Sequence, residues 1–233
     1  MNAMVLAAGR GTRLAQLGLG VPKALVEIGG EPLLARQLRY LHANGVRRVV
    51  VNAHHLSEAI ECFAREYRSA GGPELVVLVE PELLGTAGGV RNALAQLGER
   101  AFIVLYGDVL FEEPLEPLVR AHRERGALAT LAVYESDALE GKGVISVDAS
   151  GRINGFVEHG DFAPGTRGLV NAGLYVVEPE LVATLAPGVA SDFGHDLFPA
   201  ALARGELLAV HMLAAPVLDV GTPGDLERAR VAL

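Results

Sequence analysis

Met4-Val5-Leu6-Ala7-Ala8-Gly9-Arg10-Gly11-Thr12-Arg13-Leu14 decides the fold of this 233-residue chain, and Pro22-Lys23-Ala24-Leu25 completes its reading. The apolar run from Met4 to Ala8 reads as a buried strand. It breaks into Gly9-Arg10-Gly11, where two residues without Cβ atoms let backbone N–H groups approach an anion. Arg13 brings a planar fork of positive charge to the turn, and Lys23 brings a point charge. Strand, glycine turn and cations together describe a cradle for a polyphosphate. Two familiar cradles are excluded. The dinucleotide fingerprint needs a third glycine and an acid after the next strand, but that strand closes on Asn52-Ala53-His54-His55. A P-loop needs Gly-Lys-Ser/Thr, which occurs nowhere in the chain.

Beyond the turn, apolar runs alternate with helical patterns. Runs at 3–8, 48–53, 75–80 and 101–107 are continuous in Val, Ile and Leu, as parallel strands covered on both faces require. Helices are predicted between them. The segment 32–44 has Pro32 in its first turn and Leu34, Leu38 and Leu41 on one face; 57–69 opens at Ser57 as a cap; 88–97 and 116–125 follow. Such repeated strand–helix–strand units predict a parallel sheet with right-handed crossovers. In the second half, strands at 128–135 and 143–148 are expected to face each other across a polar loop. Asp148-Ala149-Ser150-Gly151 turns into 152–157, and strands at 168–177 and 207–213 make this part antiparallel or mixed. Helices are expected near 179–186, 192–204 and 223–232, the last with Thr222 as cap and Pro223 behind it. The predicted architecture is α/β: one domain over 1–233, with a mixed, mainly parallel sheet between two helical layers.

Bulk properties narrow the function. A net charge of −8 makes nucleic acid an unexpected partner. A phosphate site in so acidic a chain must be basic locally, and Arg10, Arg13 and Lys23 supply that. The single cysteine, Cys62, fits a reducing compartment. No leader pattern and no apolar stretch of membrane-spanning length is read, so the expectation is a cytoplasmic protein with no membrane partner. Of seven histidines, the adjacent His54-His55 point apart with no acidic or cysteine partner at ligand spacing. His42, His122 and His211 read as surface or element-end residues, and His195 stands between Asp192 and Asp196; a zinc site is not expected. Leu17 and Leu19, between Arg13 and Lys23, would suit a lid or the interface of a homodimer.

Two aspartates stand in matching settings. Asp108 follows Ile103-Val104-Leu105-Tyr106-Gly107 at the carboxyl edge of its run, where open α/β sheets hold ligands. Asp219 likewise ends Ala215-Pro216-Val217-Leu218. A carboxylate there is costly without a partner, and Mg²⁺ is the natural partner beside phosphates. A capping role on a following element is the alternative for each.

Six blocks in order carry a family resemblance: LAAGRGTRL with PKALVEIGGEPLL, ELLGTAGG (82–89), LYGDV (105–109), FVEHG (156–160), VNAGLYVVE (170–178) and VLDVGTPGDL (217–226). The chain resembles the sugar-phosphate nucleotidyltransferases, or nucleotide-sugar pyrophosphorylases. It is most similar to the short single-domain type exemplified by mannose and manno-heptose 1-phosphate guanylyltransferases and N-acetylmuramate 1-phosphate uridylyltransferases. The resemblance implies a Rossmann-like nucleotidyltransferase fold, with residues 1–110 as the nucleotide half and 111–233 as the sugar-phosphate half. It implies a reaction between a nucleoside triphosphate and a sugar 1-phosphate that yields a nucleotide sugar and pyrophosphate. Mg²⁺ would be held by Asp108 and Asp219, and the catalytic groups would be Arg13, Lys23 and Asp108. Nucleotide contacts carried over to this chain are Leu6, Ala8, Gly9, Gly11, Thr12, Arg13, Lys23, Glu82, Thr86 and Gly88. Sugar-phosphate contacts are Gly143, Glu158 and Asn171. The block at 156–160 departs from the family's Glu-Lys-Pro by reading Glu158-His159-Gly160, and Tyr106 replaces the usual asparagine before Gly-Asp. His159 or Lys142 would have to replace the missing lysine. Glu80 and Glu82 before the glycine turn favour GTP, since a carboxylate accepts two donors from guanine. The alternatives are a uridylyltransferase for an amino-sugar 1-phosphate, a cytidylyltransferase, and a catalytically silent nucleotide-binding homologue.

Overall fold

The computed structural model describes residues 1–9, 11, 20–67, 72–157, 160, 162–163, 165–215 and 217–232. In the first half the chain runs β1 (Asn2–Leu6), a small hairpin of β2 (Glu27–Ile28) and β3 (Glu31–Pro32), α1 (Leu33–Ala43), β4 (Arg48–Ala53), α2 (Ser57–Glu66), β5 (Glu74–Val79), α3 (Gly85–Leu97) and β6 (Phe102–Tyr106). The strands β5, β4, β1 and β6 lie side by side in that order, all parallel. Their unbroken apolar runs have a simple cause. Met4, Val50, Phe102 and Val104 pack on one face, whereas Val5, Val49, Val51, Ile103 and Leu105 pack on the other. Neither face of β1, β4 and β6 meets water, so no polar alternation is needed there, whereas β5 at the sheet edge is only half-buried. Leu34, Leu38 and Leu41 of α1 and Ile60 of α2 cover one side; Val90, Ala93 and Leu97 of α3 cover the other.

The second half continues with β7 (Val109–Leu110), α4 (Glu116–Arg125), β8 (Ala129–Ser136), β9 (Val144–Val147), β10 (Ile153–Val157), β11 (Gly168–Val177) and α5 (Pro179–Ala183). A π-helical turn at Phe193–Leu197 runs into α6 (Phe198–Ala203), followed by β12 (Leu208–Met212), β13 (Leu218–Asp219) and α7 (Pro223–Ala232). The sheet is mixed and mostly parallel between two helical layers. One expectation is corrected here: β8 and β9 do not pair with each other. Both flank β11, where Val170 lies opposite Tyr134 of β8 on one edge and Val144 of β9 on the other. Ten residues make β11 long enough to offer the same edge first to β9 and then to β6, with an irregularity between Asn171 and Tyr175.

Local chemistry explains most boundaries. At α7, Thr222 N–H donates to Asp225 Oδ2 at 2.8 Å and Asp225 N–H donates to Thr222 Oγ1 at 3.2 Å, a reciprocal cap. Ser57 does not cap α2; it is the first helical residue, and Leu56 before it takes the left-handed conformation with φ 56°. Helix α3 starts at Gly85, three residues ahead of the expected 88. Among the described residues no helix is long and apolar enough to cross a membrane.

The chain reverses its direction of travel across the sheet at β1, which has β4 on one side and β6 on the other. Open α/β sheets form their ligand crevice outside the carboxyl ends at such a point. Gly107 lets the two strand ends meet there. Its N–H donates to Leu6 O at 2.9 Å, and a Cβ on it would lie 2.4 Å from that same oxygen. Gly107→Ala is therefore expected to cost about 3 kcal/mol, lowering Tm by roughly 6–12 °C for a chain of this size, as a melting curve would read.

Candidate active site

A cavity of about 420 Å³ opens at the carboxyl ends of the parallel strands. Leu6, Ala7, Ala8, Gly9 and Gly11 form one wall after β1, and Tyr106, Gly107 and Asp108 form another after β6. Asn52, Glu80, Leu83, Gly85 and Thr86 close it on the β4–β5 side, with Lys23, Ala24, Asp192 and Gly221 around the mouth. Gly11 has φ 57°, the left-handed conformation for which a glycine turn is suited.

Lys23 heads a single 3₁₀ turn, Lys23–Leu25, launched by Pro22 in extended conformation. Its Nζ donates to Asp108 Oδ2 at 2.7 Å, and both side chains are largely shielded. Asp219 reaches the same place through the backbone. β13 pairs with β7 so that Asp219 lies opposite Val109, and Val220 N–H donates to Asp108 O at 2.8 Å. Asp219 is exposed and does not itself line the cavity, which Asp108 and Gly221 do, yet its pKa is pushed up. The largest cause is desolvation by the surrounding walls; the charges of Asp108 and Asp225 add to it, and Lys23 works against it. Two crowded carboxylates are the oxygen donor set that suits a hard divalent cation, with phosphate oxygens and water to complete its shell. Nowhere among the described residues do three His, Cys, Asp or Glu side chains gather as a complete protein cage.

Shielded polar groups hold these elements still; the sequence reading marks Glu80 as a contact for guanine, whereas it passes over Gln37 and Asp192. Gln37 of α1 is 1% exposed, and its Nε2 donates to Tyr106 O at 2.9 Å and Val109 O at 2.8 Å, straddling Gly107-Asp108. Asn52 and Glu80 form a buried pair on the opposite wall. Asp192 is remote in sequence, yet its Oδ1 accepts from both Thr86 N–H and Thr86 Oγ1. Ser191 O accepts from Ala87 and Gly88 N–H at 2.9 Å each. The free amides that open α3 are thus spent on the segment 191–192. For Asn52 the advance signal was a polar side chain ending a valine run, Arg48-Val49-Val50-Val51-Asn52.

Of the residues singled out earlier, Leu6, Ala8, Gly9, Gly11, Lys23, Thr86 and Asp108 line the cavity. Glu82 does not; it is exposed, and Glu80 occupies the wall instead. Gly88 is buried behind the wall, where a Cβ would lie 2.7 Å from Val189 O. Asn171 and Gly143 are brought to each other, Asn171 N–H donating to Gly143 O at 2.9 Å, but neither lines this cavity. Asn171 Nδ2 donates to Tyr175 Oη at 2.7 Å, and Lys142 Nζ donates to Tyr134 Oη at 3.2 Å. Arg10, Thr12, Arg13, Leu17, Leu19, Glu158 and His159 lie outside the described residues.

Residues 2–233 match the family described as nucleotidyl transferase. A UTP–glucose-1-phosphate uridylyltransferase of Synechocystis is 32% identical over 98% of this chain and 62% of its own length. The mannose-1-phosphate guanylyltransferase catalytic subunit beta of Xenopus tropicalis is 33% identical over 97% of this chain and 62% of its own. The crystal structure of HddC from Yersinia pseudotuberculosis complexed with GMP-PN superposes with a TM-score of 0.84 at 24% identity, covering 99% of this chain and 98% of that one, and shares the fold. The chain belongs to the nucleotidyl transferase family. It spans about three fifths of the length of the curated relatives it matches.

Proposed function

We propose that this chain is a sugar-1-phosphate nucleotidyltransferase, joining a nucleoside triphosphate to a sugar 1-phosphate with release of pyrophosphate. The observation that carries the reading is the convergence of Lys23, Asp108 and the Asp219 strand beside the glycine turn. Residues 1–110 would hold the nucleotide, since they supply most of the cavity wall, and 111–233 the acceptor.

The nucleophile is a phosphate oxygen that is already anionic near neutral pH, so no general base is required. What the reaction needs is the alignment of two mutually repelling anions and neutralisation of the charge that develops. Lys23 meets the α-phosphate and the incoming phosphate; Arg13 meets the leaving pyrophosphate; Gly9, Gly11 and Thr12 line the triphosphate. Asp108 and Asp219 would hold Mg²⁺, which when bound would supply Lewis-acid neutralisation of phosphate charge. Gln37 keeps Asp108 in register from below through the two flanking carbonyls. Gly143, Glu158 and Asn171 bind the sugar phosphate.

GTP with mannose or manno-heptose 1-phosphate is the preferred pair. Glu80 supports it: its carboxylate lines the cavity wall, and beside the bonds accepted from Asn52 Nδ2 and Leu84 N–H each oxygen keeps a further lone pair for guanine N1–H and N2–H₂. The guanylyltransferase relatives support it too. The uridylyltransferase relative favours UTP as the second reading. Pyrophosphate release measured with Mg²⁺, each triphosphate and a panel of sugar 1-phosphates is expected to be fastest with GTP and a manno-configured sugar, and to vanish with EDTA. No release with any pair would overturn the proposal.

A further inference from the structure

Asn52 ends β4 with 2% of its surface exposed, and both ends of its side-chain amide are engaged. Oδ1 accepts the N–H of Ala7 at 2.8 Å and that of Ala8 at 3.4 Å, in the turn that follows β1. Nδ2 donates to Glu80 Oε1 at 2.7 Å, just beyond β5. Glu80 is 1% exposed, and its other oxygen accepts Leu84 N–H at 3.2 Å. Space for the pair comes from Gly89 in α3, where a Cβ would lie 2.8 Å from both Asn52 Nδ2 and Glu80 Oε1. One amide therefore ties the turn on one wall of the cavity to the carboxylate on another. Aspartate could not donate to Glu80, and lysine could not accept from the turn, so the position needs a group with both functions at this reach.

We propose that Asn52 is a positioning residue coupling the two ends of the nucleotide site: its oxygen sets the turn that cradles the triphosphate, and its nitrogen orients the carboxylate that reads the base. The inference rests on the nucleotide reading above. It makes a separable prediction, because the two ends of the amide serve different parts of the ligand. Asn52→Asp keeps an acceptor for Ala7 and Ala8 but replaces the donor with a second anion against Glu80. Asn52→Ala removes both functions.

The test measures inhibition of the wild-type and variant enzymes by two half-ligands: the bare nucleoside of the preferred triphosphate, and inorganic tripolyphosphate. In N52A both should weaken by about ten-fold or more, the scale of a buried hydrogen bond broken on one side. In N52D the nucleoside should weaken by about ten-fold or more while tripolyphosphate stays within about three-fold. Gly89→Ala provides an independent variant if either substitution at Asn52 fails to give a cooperative melt. Its methyl group pushes donor and acceptor apart without touching Oδ1, while alanine favours the helix, and it should reproduce the split of N52D. A purely structural role would shift both half-ligands together, so equal losses in N52D and G89A, or none, would overturn the inference. If the wild-type protein binds neither half-ligand nor any triphosphate, the nucleotide reading itself fails, and this inference with it.

Discussion

Lys23→Ala is expected to lower kcat by roughly 100- to 1,000-fold while KM for the nucleoside triphosphate changes by no more than about three-fold. The asymmetry follows from where the charge is needed. Lys23 Nζ is bonded to Asp108 Oδ2 at 2.7 Å, so the protein itself fixes its position. A preset cation stabilises most the state that carries most negative charge at the α-phosphorus, which is the transition state, and binding energy common to both states does not raise kcat. Lys23→Arg should not restore the rate. Asp108 sits at the end of a short, shielded approach, and a planar guanidinium does not reproduce the contact of a compact ammonium. Steady-state kinetics of both variants check this. A kcat within a few-fold of wild type in the alanine variant would reduce Lys23 to a structural partner of Asp108.

Asp219→Asn is expected to lose roughly 100-fold or more in turnover and to abolish stabilisation by Mg²⁺, yet leave the metal-free protein at least as stable as wild type. Asp219 carries a raised pKa because of desolvation first and the Asp108 charge second. A carboxyl raised in this way supports folding while protonated. That support is whole below the ordinary carboxylate range and is lost as pH rises through the raised value. At neutral pH the metal-free protein therefore holds Asp219 ionised at a cost, which the neutral amide removes. Melting curves in EDTA should place D219N level with or above wild type at pH 7, with the difference closing towards pH 4. Adding Mg²⁺ should raise Tm for wild type alone. A variant markedly less stable than wild type in EDTA would mean that Asp219 serves the fold rather than a cation.

Much of the fold was legible because its signals are local. The valine and leucine runs at 48–53 and 101–107 could be buried on two faces only by parallel strands, and Leu34, Leu38 and Leu41 could share only one face of a helix. Thr222 and Asp225 wrote a cap within four residues of chain. The pairing of β8 and β9 was misread because adjacency in sequence is a poor guide when a long third strand can take both. The unexpected length of α3 has a similar origin: Ser191 and Asp192, about a hundred residues away, accept the amides that open it.

The sequence by itself determined the class of this protein through six blocks whose order along the chain resembles one family; the glycine turn and its cations alone described only a place to hold a polyphosphate. Only the tertiary structure decided which of them meet. The pairing of Asp219 with Val109 draws together carboxylates 111 positions apart in the chain, and Glu80 rather than Glu82 faces the cavity, held there by the hydrogen bond from Asn52 Nδ2. Such choices rest on hydrogen bonds between segments far apart in sequence, whose partners no local pattern records. That is why the roles of Asn52, Gln37 and Asp192 became visible only once the sheet had assembled.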